Sequence, residues 1–247
     1  MKTLLTTNAD NAIRSYSRFT LPLLHEYAKF LSAEFFVMDH EPPVITDDGK
    51  PHFRTMRIGE FLQEYDRVVY IDADCVLNKN IPNVLKLVPP EKVGCVLEDV
   101  GSQIAERSAV MKAVQREFGE IGWRNKFINN GIMVVSKEHK CVFEPVDGQY
   151  YLGWMSDIAH ISYQIKNNNL DIFELNYTWN HMSMFSEPWN GSPSRFDSKI
   201  IHYAGNADFP DRGRRSRERL IADDAKQIHG LGYYLRAKLF RAGWNHN

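Results

Sequence analysis

The order of apolar runs restricts this chain to one architecture. Leu4-Leu5, Phe35-Phe36-Val37-Met38, Val68-Val69-Tyr70-Ile71, Val93 to Leu97 and Gly131 to Val135 are short, apolar and bounded by polar residues, as buried strands are. Helical patterns separate them: Leu23, Leu24, Tyr27, Phe30 and Leu31, with Pro22 near the start of the helix or kinking it, then Phe53 to Gln63, Ser102 to Phe118 and Tyr150 to Lys166. Strands that alternate with helices pair in parallel, because each crossover returns the chain to the same edge. The expected fold is α/β, with a Rossmann-like, mostly parallel central sheet flanked by helices in a single domain. A late strand, Lys199-Ile200-Ile201, ends at His202, and Glu41 to Pro51 reads as a loop from its prolines, Asp47-Asp48 and Gly49.

A chain of 247 residues suffices for one such domain and buries roughly 70–75% of its unfolded surface, so neither metal nor disulfide is needed to fold it. The balance of 30 basic against 31 acidic residues gives no global field that favours nucleic acid as a partner. Cys75, Cys95 and Cys141 are odd in number and widely spaced, which argues against a disulfide framework and fits a reducing, cytoplasmic compartment. Thr6, Thr7, Asn8 and Asp10 break the first apolar run at once, so it does not read as a signal peptide. No stretch approaches the ~20 apolar residues of a spanning helix.

The chemistry concentrates where the most apolar strand ends. Strand side chains alternate, so Asp72 and Asp74 project to one side as the chain leaves the sheet. At ~4 Å their repulsion is about 1 kcal/mol in bulk water and about 4 kcal/mol at an effective dielectric of 20, a cost that a divalent cation with oxygen ligands, Mn²⁺ or Mg²⁺, removes. The plain alternative is that one aspartate caps a helix beginning near Asn80-Ile81-Pro82 while the other is solvated. A calcium loop is excluded, since Val76 and Leu77 stand where an Asp or Asn and a Gly are required. An apolar strand followed by Asp-x-Asp-x-Val also opens haloacid dehalogenase-type phosphatases, with Asp72 as nucleophile and Asp74 as general acid and base. Against that reading, the motif follows two βα units and no later Gly-Asp-x-x-x-Asp supplies further magnesium ligands.

Several motifs occur together in one order. Arg57-Ile58-Gly59-Glu60-Phe61-Leu62, Tyr70-Ile71-Asp72-Ala73-Asp74, Phe127-Ile128-Asn129-Asn130-Gly131-Ile132, Leu175-Asn176-Tyr177-Thr178-Trp179-Asn180 and Ile201-His202-Tyr203-Ala204-Gly205 resemble, in sequence order, the motifs of GT-A glycosyltransferases of glycosyltransferase family 8. The resemblance spans about residues 1 to 210. It implies metal-dependent transfer of a sugar from a nucleoside-diphosphate donor, UDP-sugar favoured, to a glycan, protein or lipid-linked acceptor, with retention at the anomeric carbon. It further implies Asp72, Asp74 and His202 as metal ligands, Asn129 at the donor sugar, Asp157 beside the reacting carbon, and Thr6, Asn8, Arg54, Arg57, Asp72, Asn129, Asn130 and Gly205 around the donor.

Three positions depart from the family pattern. The arginine of the helix before the Asp-x-Asp falls at Thr55, although Arg54 and Arg57 flank it three apart on one helical face. The lysine after the His-x-x-Gly is Asp208, leaving phosphate charge to Arg212 or Arg214, and the Asp-Gln pair appears as Asp157-Ile158.

Each single residue also has an ordinary reading. His202 can be an ordinary polar residue and Asp157 a helix-surface acid; Asn129-Asn130 can be a turn that starts a strand, and Thr6 to Asp10 plain loop. Trp123, Trp179 and Trp189 can line an acceptor groove or belong to the core. The segment 211–247 contains Arg212, Arg214, Arg215, Arg217, Arg219, Tyr233, Tyr234, Leu235, Arg236, Lys238, Leu239, Phe240, Arg241 and Trp244. It reads as a basic, aromatic helical tail that either touches an anionic membrane or packs on the body. A nucleotidyltransferase is disfavoured, because residues 6–10 hold no glycine for a phosphate loop. A non-catalytic nucleotide-sugar binding module stays open.

Overall fold

The structure, a computed structural model, describes residues 1–43 and 52–240. Most of the loop expected to end at Pro51, and Arg241 and Trp244 of the tail, lie outside the described residues.

Strand β1 (Thr3–Asn8) leads through a 3-10 turn into α1 (Arg14–Leu31) and then β2 (Glu34–Met38). The Asp10 side chain starts this helical segment by accepting the Ala12 N–H at 2.9 Å. Ser32 ends α1 in the left-handed conformation. Pro22 therefore sits inside a helix that begins well before the apolar pattern at Leu23. The expected helix over 53–63 is mostly 3-10, His52–Arg57, followed by the single turn α2 (Ile58–Phe61). After β3 (Arg67–Ile71) come β4 (Cys75–Leu77), β5 (Val93–Leu97), α3 (Ile104–Phe118), β6 (Ile128–Ser136), α4 (Ser156–Asn167), β7 (Ile172–Glu174), β8 (Ile200–His202), α5 (Arg217–His229) and α6 (Leu231–Leu239). No helix begins at 80–82; the first turn beyond them is a 3-10 segment at Val84, capped by Asn83 and by neither aspartate.

Six strands form the central sheet in the order β2-β1-β3-β6-β5-β7. All run parallel except β6, which is antiparallel to both β3 and β5. Residues at the start of β6 consequently lie at the edge where β1, β3 and β5 end, the edge at which α/β sheets bind ligands. A register shift in the β5–β6 pairing places Asn129 opposite Val96 there, and such irregularities re-aim side chains near sites.

Alternation along the strands sorts the core into two layers. Leu5, Val69, Ile71, Ile132 and Val134 face Leu21, Leu24 and Ala28 of α1. Leu4, Val68, Tyr70, Met133 and Val135 face the Phe53–Leu62 segment and Ile161 and Ile165 of α4.

The late strand belongs elsewhere than the central sheet. β8 pairs antiparallel with β4 in a separate two-stranded ribbon, with Cys75 opposite His202. Beyond residue 210 the chain shares the core of the body. Leu220, Ile221 and Ala225 of α5 pack with Phe19 of α1, Val76, Ile201 and Tyr203, so the packed reading of this segment describes α5.

Candidate active site

Three segments converge at the carboxyl edge of the sheet. The chain leaves β3 through Asp72-Ala73-Asp74 and turns at once into β4, and the β4–β8 pairing carries His202 back against that turn. His202 Nε2 lies 3.5 Å from Asp72 Oδ2 and 3.3 Å from Asp74 Oδ1. The imidazole occupies the space that a side chain at position 131 would take: a Cβ there would sit 2.3 Å from His202 Nδ1 and 2.7 Å from Asn180 Oδ1. The glycine of the Asn-x-Gly motif is thus explained by the close approach of His202, without any unusual φ.

These groups line an open cleft of about 660 Å³ together with Asn8, Ile13, Tyr16, Thr55, Tyr70, Asn130, Asp157, Ile158, Asn206 and Arg217. Tyr70 stands two residues before Asp72 on the same face, donates its hydroxyl to Asp72 Oδ1 and accepts Asn8 Nδ2 at 2.9 Å. Arg217, the first residue of α5, reaches Asp74 Oδ2 at 3.4 Å and the Gly205 carbonyl at 3.3 Å, with its guanidinium over the Tyr16 ring.

Burial pushes the Asp72 carboxyl up to about 6, with His202 opposing and Asp74 adding to the rise. Burial also works against ionised Asp74, but His202 and Arg217 outweigh it and hold that carboxyl below its ordinary value. For His202 burial disfavours the imidazolium, while Asp74 and Asp72 together raise its pKa above the ordinary value. The acid pair thus faces the Arg217 guanidinium and an imidazole whose charged form it favours.

The donor set fits a hard divalent ion. Octahedral ligands about 2.0–2.1 Å from such an ion stand roughly 3 Å apart, close to the spacing of these carboxylate oxygens from Nε2. Cys75 Sγ also comes within 4.8 Å of the Asp74 and His202 ligand atoms. Burial keeps that thiol well above its ordinary pKa, and it faces the Gly131 carbonyl at 3.7 Å. A thiol is a soft donor, whereas carboxylates suit Mg²⁺ and Mn²⁺, so Asp72, Asp74 and His202 are the set that could hold the ion.

Asp157, in the first turn of α4, accepts Asn130 Nδ2 at 2.9 Å. Burial lifts its carboxyl to about 6, and the Asn130 bond partly offsets that rise. The residue is 8% exposed, which sets aside the helix-surface reading.

Other expected residues lie apart from this group. Arg54 is buried and committed to Asp10 Oδ2 at 2.8 Å and the His40 carbonyl at 2.6 Å, while Arg57 pairs with Glu60 at 3.0 Å; neither lines the cleft. Thr6 gives its hydroxyl to the Phe36 carbonyl within the sheet. Arg212 is bound to Asp208 and Arg215, and Arg217 is the arginine that faces the acid pair. Asn129, by contrast, lines the cleft from within β6, with its amide engaged by Glu98, Asn180 and the Gly131 N–H. Trp123 and Trp179 are buried in the core, whereas Trp189 is 43% exposed and lies over Gly101. Tyr70 could have been found from the period-two spacing, and Asn180 ends one of the resembling motifs; Arg217 and Glu98 carry no local signal.

No protein-family model matches this sequence, and no curated protein does. Solved structures do. Galactosyltransferase LgtC, solved with donor and acceptor sugar analogues, superposes with a TM-score of 0.58 at 14% identity over 95% of this chain and 99% of that one. A glycosyltransferase involved in glycosylating the major capsid of PBCV-1 gives 0.56 at 14% identity, over 93% and 99%. Mouse xyloside xylosyltransferase 1 gives 0.51 at 14% identity, over 85% and 99%. The fold is therefore the GT-A fold of glycosyltransferases.

Proposed function

We propose that this chain is a metal-dependent glycosyltransferase that moves a sugar from a nucleoside-diphosphate donor to an acceptor hydroxyl. The observation that carries the reading is the convergence of Asp72, Asp74 and His202 on the floor of the cleft. A divalent ion held there, Mn²⁺ or Mg²⁺, neutralises the charge that builds on the departing diphosphate. Arg217 carries a guanidinium in the same cleft that matches phosphate oxygens in a bidentate fork and takes the place of the lysine replaced by Asp208. Asn8 and Gly205 border the donor, and Asn130 and Asp157 the sugar. The Asp157 carboxylate stabilises positive charge at the anomeric carbon or takes the proton of the acceptor hydroxyl. UDP as the nucleotide, retention of configuration and a cytoplasmic site of action follow from the family resemblance and the free cysteines.

Thermal shift against a panel of nucleoside-diphosphate sugars tests this reading. With Mn²⁺ present and donor at 100 times Kd, about 2.7 kcal/mol of stabilisation is expected. A panel in which no donor stabilises the protein more with Mn²⁺ than without it contradicts the reading. Transfer also needs Asp157 ionised, so kcat/KM falls as pH drops through about 6. The Asn130 bond favours the carboxylate, and its loss raises the Asp157 pKa. Asn130→Ala consequently moves the acid limb of the pH–rate profile upward; an unmoved limb assigns that limb to another group.

Among the described residues no helix is long and apolar enough to cross a membrane. Contact with a lipid surface is supported by Leu231, Leu235 and Leu239 of α6, each more than half exposed and four residues apart, beside Arg236 and Lys238. Leu235→Asp with Leu239→Asp is expected to abolish co-sedimentation with phosphatidylserine vesicles while donor binding persists. Equal sedimentation of the two proteins removes this part of the proposal.

A further inference from the structure

A chain of buried polar side chains runs from α3 to the proposed ligand atoms. Arg107, Glu98, Asn129, Asn180 and His202 are each less than a tenth exposed, and buried polar groups persist only where each finds a partner of the right kind. Arg107 Nε donates to Glu98 Oε1 at 2.7 Å, and Asn129 Nδ2 donates to Glu98 Oε2 at 2.5 Å. Asn129 Oδ1 accepts the Gly131 N–H at 2.8 Å and Asn180 Nδ2 at 2.7 Å, and Asn180 Oδ1 stands 2.8 Å from His202 Nδ1.

Two fixed groups orient the whole series. A carboxylate only accepts and a backbone N–H only donates, so the Asn129 amide has one setting, nitrogen toward Glu98 and oxygen toward Gly131. That oxygen demands the nitrogen of Asn180, which turns the Asn180 oxygen to His202. Nδ1 must then carry the proton, and in the neutral ring Nε2 presents its lone pair to Asp72 and Asp74. We propose that Asn180, oriented by Asn129 and Glu98, is a positioning residue that fixes His202 in the Nδ1–H tautomer and so makes it a metal ligand. The geometry stands by itself, whereas its consequence for metal rests on the function proposed above. The Asn-x-Gly asparagine, which also lines the cleft, acts here through His202.

Glu98→Gln tests the relay without changing the shape of the side chain. With its oxygen kept on Arg107, the new amide nitrogen faces Asn129, and both asparagines turn over in response. Asn180 then offers an N–H to Nδ1 and the ring proton moves to Nε2, against one unfavourable contact at the Gly131 N–H. The opposite setting of the new amide would aim its N–H groups at those of Arg107.

Two measurements read the outcome: ¹⁵N correlation spectra of the His202 ring without metal, at a pH high enough to leave it neutral, and Mn²⁺ affinity from the paramagnetic resonance signal of the unbound aqua ion. Wild type is expected as Nδ1–H. Glu98→Gln is expected to shift toward Nε2–H and to bind Mn²⁺ about 10–100-fold more weakly, as loss of a ligand's outer partner does. Asn180→Ala is expected to give mixed tautomers and a comparable loss, and it decides the matter if Glu98→Gln does not fold. A wild-type ring in the Nε2–H form, or variants with unchanged tautomer and affinity, overturns the proposal. An Nδ1–H ring in a protein that binds no Mn²⁺ keeps the relay and removes the metal function instead.

Discussion

On the proposed function, Asp74→Ala is expected to lower metal-dependent kcat/KM for sugar transfer by about 10³-fold, equivalent to about 4 kcal/mol of transition-state stabilisation. Asp74 makes the closer of the two contacts with His202, 3.3 Å from Nε2, and is also 3.4 Å from Arg217. Its removal leaves Asp72 and His202 as a two-ligand site and frees the Arg217 guanidinium from its carboxylate. Cys75→Ala is the control: the thiol is a soft donor turned to a backbone carbonyl, so this variant is expected to keep its response to Mn²⁺. Initial rates over a Mn²⁺ titration, with circular dichroism to confirm folding, separate the two. Retention of a tenth or more of wild-type turnover by Asp74→Ala, or a loss at Cys75→Ala of similar size, places the ion on other ligands.

Asp224→Ala is expected to cost about 3–5 kcal/mol, because it takes from the buried Arg195 guanidinium its buried carboxylate and leaves it only the exposed Asp211. Arg195 and Asp224 are 4% and 1% exposed; Arg195 Nε meets Asp224 Oδ2 at 2.7 Å, and the Tyr203 hydroxyl donates to the same oxygen at 2.7 Å. At about 2–4 °C per kcal/mol for a chain of this size, Tm falls by roughly 6–20 °C. The pair fastens α5 to the 3-10 turn at Arg195–Asp197 that precedes β8, and α5 carries Arg217, so on the proposed function donor binding is expected to weaken as well. Arg195→Met with Asp224→Leu removes both charges together and recovers most of the lost Tm. A single variant within about 2 °C of wild type, less than the shift expected for 1 kcal/mol, would show the pair to be unimportant to the body.

The local residue pattern decides a good part of this protein. Apolar runs specify β1, β2, β3 and β5, and the period of two along Tyr70-Ile71-Asp72-Ala73-Asp74 puts both carboxylates and the Tyr70 hydroxyl on one side. Glycine at 131 and histidine at 202 are visible as residues, and the motif order points to the fold that the solved glycosyltransferases share.

Contacts between distant segments decide the rest. The antiparallel direction of β6, the removal of β8 to a ribbon with β4, and the docking of α5 depend on hydrogen bonds and apolar burial between residues far apart in the chain. Helix and strand periodicity depends only on near neighbours and is silent about them. Arg54 and Arg57 are near the acid pair in sequence but are held by Asp10 and Glu60, while Arg217 arrives from 143 residues beyond Asp74. The setting of His202 is equally tertiary: an imidazole has two tautomers of similar energy, and the buried amides, the Glu98 carboxylate and the acid pair around it together choose between them.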